Sequence, residues 1–161
     1  MQKWEKIGRI TSELNEKLLD QKLPTTWLVI TEGWCGDAAQ NLPFVAKMAE
    51  LNSNIDLRFI LRDEHLELMD EFLTKGGRSI PKLIALDSST LQVLGTWGPR
   101  PEPMQKLAMN NKASKEKTYA ELNQEMHLWY AKDKGLTLQL EFLAILDVWN
   151  QKLQSLPVQA G

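Results

Sequence analysis

Apolar positions divide the chain into stretches of helical and strand-like spacing. Trp4, Ile7, Leu14 and Leu18 recur at helical intervals, which predicts one amphipathic helix over residues 2–20. Gln21 to Thr26 reads as a turn punctuated by Pro24. The run Trp27-Leu28-Val29-Ile30, inside residues 26–31, is continuously apolar rather than alternating. That suits a strand covered on both faces, as in a parallel sheet flanked by helices. Leu42, Val45, Met48 and Ala49 then return to helical spacing, with Pro43 inside the pattern and a kink expected there. Asn52-Ser53-Asn54 stops that helix, and Ile55 to Leu61 reads as a second strand. Asp63 is the expected N-cap of a shorter helix carrying Leu66, Met69, Phe72 and Leu73, ended by Gly76-Gly77. Alternation of helix and strand points to an α/β sheet with parallel neighbours.

The pattern then changes. Lys82 to Asp87 is a short strand with Pro81 at its start, where a residue without an N–H is tolerated. Ser88-Ser89 makes a tight turn, and Thr90 to Trp97 alternates through Leu91, Val93, Gly95 and Trp97. Two strands joined this closely are antiparallel. The Ile80–Pro81 bond is a candidate for the cis form. Gly98-Pro99-Arg100-Pro101-Glu102-Pro103 is a stiff, extended lead-in. It is either a turn plus helix start or a groove wall presenting Arg100 to a carboxylate. From Met104 to Lys134, Leu107, Ala108, Tyr119, Leu122, Met126 and Trp129 keep helical spacing around a polar section, Asn110–Lys117, that is either a solvated stretch or a break. After Gly135 comes a last amphipathic helix through Phe142, Ile145, Leu146, Trp149, Leu153 and Leu156, with Thr137 as its expected cap. It packs on the sheet, forms a hairpin with the helix before it, or offers a dimer surface.

Composition narrows the class. A chain of 161 residues fits one domain, 1–161, with a real core. A net charge of -2 argues against nucleic acid as the main partner, because phosphate binding needs a basic face. No apolar run reaches membrane-spanning length, and Met1 to Lys6 lacks the apolar core of a signal peptide. One cysteine cannot form an internal disulfide, so a cytoplasmic setting is expected. His65 and His127 are isolated and no zinc spacing occurs, so no metal is expected. Lys112, Lys115 and Lys117 read as a solvated face, and Trp4, Trp129 and Trp149 as core.

The candidate chemistry lies in Glu32-Gly33-Trp34-Cys35-Gly36-Asp37-Ala38, which holds the only cysteine. A thiol at a strand-to-helix turn sits beside backbone N–H groups without intrahelical partners. That placement predicts an accessible, activated thiol titrating below the ordinary value of about 8.5. Asp37 opposes this as a like charge, and Arg78 and Arg100 are the candidates to offset it. Trp34 is the one tryptophan whose position suggests substrate contact.

Trp34-Cys35-Gly36-Asp37-Ala38 resembles the thioredoxin motif Trp-Cys-Gly-Pro-Cys. Pro43 matches the proline that kinks the following helix in that family. Arg78-Ser79-Ile80-Pro81 resembles the cis-proline loop, and Trp97-Gly98 the glycine loop after the last strand. Order and spacing agree over about residues 20–110, leaving 111–161 as a C-terminal helical extension. The resemblance implies a thioredoxin-like α/β fold, with a mixed sheet of about four strands flanked by helices. It also implies Cys35 as the nucleophile and Trp34, Gly36, Asp37, Arg78, Ile80, Pro81, Gly98 and Arg100 as the substrate groove. Two departures are informative. Ala38 replaces the resolving cysteine, and Val29 stands where the family carries a buried aspartate. An intramolecular dithiol cycle is therefore impossible. The resemblance then implies monothiol exchange, with glutathione or another low-molecular-weight thiol as co-substrate and protein or small-molecule disulfides as partners. A peroxide-sensing sulfenic acid at Cys35 is a variant of that reading. The alternative is a redox-silent module that binds an extended peptide beside Pro81. A homodimer through the C-terminal helices is a further expectation.

Overall fold

A computed structural model describes residues 2–157. The chain runs α1 (Gln2–Ile7), α2 (Ser12–Leu19), β1 (Thr25–Thr31), α3 (Gly36–Glu50), β2 (Ile55–Leu61) and α4 (Leu66–Asp70). It continues through β3 (Lys82–Asp87), β4 (Val93–Trp97), α5 (Glu102–Ser114), α6 (Tyr119–Asp133) and α7 (Leu136–Ser155). The four strands form one mixed sheet in the order β2-β1-β3-β4. β1 runs parallel to β2 and antiparallel to β3, and β3 is antiparallel to β4. The α/β fold with a four-stranded mixed sheet and a C-terminal helix is the one expected.

The N-terminal helix is two helices, not one. Gly8 ends α1, and a side chain there would strike the Trp4 carbonyl and crowd the Phe44 ring. Thr11 then restarts the helix as N-cap, its hydroxyl accepting from the Leu14 N–H. Trp4, Leu14 and Leu18 are buried as the spacing implied.

Four local expectations fail for identifiable reasons. Asp63 caps nothing: it lies in a 3-10 turn, where Arg62 holds its carboxylate at 2.9 Å and its N–H donates to Glu32. The helix that follows starts at Leu66 and ends at Asp70, so Phe72 and Leu73 fall beyond it. Thr137 lies in the first turn of α7, its hydroxyl taken by Asp133, while Gly135 at φ +78° is the N-cap. Thr90 and Leu91 belong to the turn before β4, because the Asp87 carboxylate gathers the hydroxyls and N–H groups of Ser89 and Thr90.

The core forms where α7 lies on the sheet. Phe142 packs against Trp27 and Trp97 with ring centroids 5.6 and 5.7 Å apart, and Trp149 meets Trp27 edge-on at 6.1 Å. Gly95 on β4 makes room for the Trp149 indole, which a Cβ would overlap. α7 thus takes the first of its three expected roles. Glu141 on α7 also joins β4 to α5, accepting from the Trp97 indole at 2.8 Å and from the Glu102 N–H at 2.7 Å. It supplies the capping acceptor that Pro101 cannot. A second cluster, Met104, Met126 and Tyr130 with Leu107, Leu122 and half-buried Trp129, joins α5 to α6. The break between these helices falls at residues 115–118, so the first part of the polar section Asn110–Lys117 is helix within α5.

Candidate functional site

The apolar strand β1 ends at Thr31, and the turn Glu32–Trp34 delivers the chain into α3. The Cys35 N–H closes that turn on the Glu32 carbonyl at 3.1 Å. Cys35 is the N-cap of α3, with extended backbone. Its sulfur accepts from the Ala38 N–H at 3.4 Å, and its S–H donates to the Ile80 carbonyl, also at 3.4 Å. The thiol is therefore held between a helix N-terminus and the segment before Pro81, in a peptide that is cis.

This placement differs from the expected accessible thiol. Cys35 is buried, with 9% of its surface exposed. Burial pushes its pKa above the ordinary value, and the charge of Asp37 pushes the same way. The N–H groups of Ala38 and Asp37 and the charge of Arg100 pull it down without cancelling the rise. The helix-end effect read from the sequence is present, but burial outweighs it, so the thiolate forms only at higher pH.

Asp37 is the better-served group. Arg100 places Nη2 and Nε on Oδ2, at 2.6 and 3.0 Å, and the Tyr130 hydroxyl donates to Oδ1 at 2.8 Å. Asn41, one turn along α3, donates to the Asp37 carbonyl at 2.8 Å and to the Tyr130 oxygen at 3.1 Å. Burial, and then the Asp37 charge, hold the Tyr130 phenol well above the usual tyrosine range, so it remains a donor. Arg100 thus meets a carboxylate, and the carboxylate belongs to the chain itself. Sequence reading missed Tyr130 and Asn41. Asn41 carried a faint signal as the i+4 neighbour of Asp37 on a helix. Tyr130 carried none, because it lies 93 residues away.

The remaining expected residues divide. Gly98, at φ +111°, presses on the Pro81 carbonyl where a side chain would collide, which brings the Trp97-Gly98 loop against Pro81. Ile80 is buried beside the thiol, and Gly36 opens α3 with free space around it. Trp34 is exposed, and the Arg62 guanidinium lies 5.2 Å from its ring centroid. Arg78 does not join the thiol: it forms a two-pronged pair with Asp70 at 2.6 and 2.8 Å. The offset to Asp37 comes from Arg100 alone of the two arginines. Ala38 and Val29 are both buried in the core. A cleft of about 150 Å³ opens between the start of α3 and the α5–α6 pair, lined by Gly36, Asp37, Arg100, Met126, His127 and Tyr130. Among the described residues no group of three His, Cys, Asp or Glu side chains is placed to hold a metal. No described helix is long and apolar enough to cross a membrane.

A family model described as thioredoxin matches residues 1–127. A crystal structure of a Pseudomonas aeruginosa protein of unknown function is similar at 25% identity and TM-score 0.65, over 91% of this chain and 78% of that one. The crystal structure of an HIV epitope-scaffold is similar at 24% identity and TM-score 0.63, over 91% of this chain and 79% of that one. No curated protein matches the sequence.

Proposed function

This chain belongs to the thioredoxin family, and on that premise we propose that it exchanges thiols and disulfides through Cys35 alone. The observation that carries the reading is the seat of the sulfur, which accepts from the Ala38 N–H and lies against Ile80 beside Pro81. Cys35 as thiolate attacks one sulfur of a disulfide, forms a mixed disulfide with it and expels the other as thiolate. An external thiol, glutathione or another small thiol, then attacks the mixed disulfide and frees Cys35. Trp34–Ala38 is on this reading an active-site variant without a resolving cysteine, and Ala38 occupies the vacant position. Trp34, Gly36, Ile80, Pro81 and Gly98 form the groove, Asp37 and Arg100 its charged side. Residues 111–161 act as an extension that reaches the site through Tyr130. A reducing compartment such as the cytoplasm suits a chain with one thiol.

Burial of the thiol favours one second reading, a redox-silent module whose groove beside Pro81 binds an extended peptide. Intact mass after incubation with oxidised glutathione separates the two. One adduct per chain, formed faster as pH rises and absent in Cys35→Ser, is the expected result. An unmodified chain at alkaline pH, while an unfolded control reacts, would leave the binding module standing.

A further inference from the structure

Among the described residues the sheet ends at β2, with a bare outer edge. β1 pairs with residues 55–61 from one side. Among the described residues, no backbone group pairs with residues 56–61 from the other. A bare edge is a template for another strand. This one is also apolar: Phe59 is 51% and Leu61 43% exposed. Both border a cleft of about 410 Å³ completed by Leu42, Pro43 and Ala46 of α3. The described segment before β1 forms α1 and α2 and adds no strand to this edge.

Charge selects the occupant. Asp56 and Arg58 point to one face of the strand and pair with each other at 2.8 Å, both more than half exposed. An antiparallel pairing of β2 with itself about Leu57 sets Asp56 opposite Arg58 of the second copy, and Arg58 opposite its Asp56. The same register sets Ile55 opposite Phe59. Centring on Arg58 instead opposes two arginines, and centring on Asp56 opposes two aspartates. Centring on Phe59 leaves Arg58 facing Ile60. Directly opposed like charges disfavour a pairing, and opposite charges favour it. We infer that this edge is a two-fold interface at which a second copy of the chain adds its β2 antiparallel, centred on Leu57. The interface is isologous, so one complementary pair of residues is used twice. It is independent of Cys35 and of the thiol chemistry proposed above.

Light scattering on the full chain during size exclusion, over a range of concentrations, tests the interface. The wild type is expected at twice the 18.4 kDa chain mass when concentrated. Asp56→Arg and Arg58→Asp should each return the monomer, by opposing like charges. The double exchange Asp56→Arg/Arg58→Asp should restore the dimer, and an equal mixture of the two single variants should form a heterodimer. A wild type that stays monomeric when concentrated would overturn the inference. So would a dimer that survives both single changes, or a mixture that does not associate. Hydrogen exchange on the wild type removes dependence on variant folding. Amides within residues 56–59 that do not bond β1 should slow as concentration rises, and exchange independent of concentration would refute the pairing.

Discussion

The carboxylate of Asp37 receives donors from two elements far along the chain, Arg100 before α5 and Tyr130 on α6. Both partners of the ion pair keep less than a fifth of their side-chain surface exposed. Removing one therefore leaves a poorly hydrated charge behind. Full burial would make that loss worth 3–5 kcal/mol, and the residual exposure reduces it to about 2 kcal/mol for Arg100→Met. Burial dominates the titration of Cys35, and the same pair modulates it, Asp37 raising the thiol pKa and Arg100 lowering it. Asp37→Asn should thus shift the pH midpoint of alkylation down, and Arg100→Met should shift it up. Rates of iodoacetamide modification against pH measure both. Midpoints that coincide across the three proteins would show that burial alone governs the thiol, with the neighbouring charges too well screened to matter.

At the level of elements, two glycines with the same backbone separate conformational from packing cost. Gly76 and Gly135 lie at φ +77° and +78°. A Cβ on Gly76 would meet nothing within 4 Å, whereas one on Gly135 would overlap the Phe44 ring of α3. Gly76→Ala should cost only the left-handed backbone, about 1 kcal/mol. Gly135→Ala should cost that plus overpacking against a buried ring, a further 1–3 kcal/mol or so. Urea denaturation of both variants reads the difference. Equal losses would mean that Phe44 yields freely and that the α6–α7 junction does not position α3. The same junction shows what a sequence withholds. Gly135 was legible as a stop, yet Thr137 looked like the cap, because a threonine near a helix start usually fills that role. Here Asp133 has taken its hydroxyl. Asp63, held by Arg62, misleads for the same reason: a cap is decided by what else can bind the capping atoms.

For the molecule as a whole, strands and core were legible because burial writes itself locally into apolar runs, as in Trp27 to Ile30 and the stripe from Phe142 to Leu153. The site was legible only where a motif is contiguous. Cys35, Gly36 and Asp37 could be named, whereas the burial of the thiol by Ile80 and the Tyr130 clamp depend on segments 45 and 93 residues distant. Those same contacts set the response of the fold to alkali. Cys35 and Tyr130 are both raised, chiefly by burial. Above their unfolded values, about 8.5 and 10, the unfolded chain gives up protons that the folded chain keeps. Stability from each is therefore complete below that value and is lost as pH climbs toward the folded one. Lys82 has the opposite sign. Burial lowers its pKa, and Thr74 is its hydrogen-bond partner at 3.0 Å. The folded chain loses that proton first, so stability is gained as pH rises toward about 10.4. Between roughly pH 8.5 and 10 the thiol and the lysine oppose each other, and above about 10 the phenol takes over. The urea midpoint should therefore fall above about pH 10, after a range in which the two opposing groups act together. Cys35→Ala should turn the early part upward, Lys82→Met should turn it downward, and Tyr130→Phe should remove the late fall while lowering the midpoint throughout. A wild-type midpoint that climbs above pH 10, or a late fall that persists in Tyr130→Phe, would show that the phenol beside Asp37 ionises as readily folded as unfolded. The clamp on Asp37 would then be open to water.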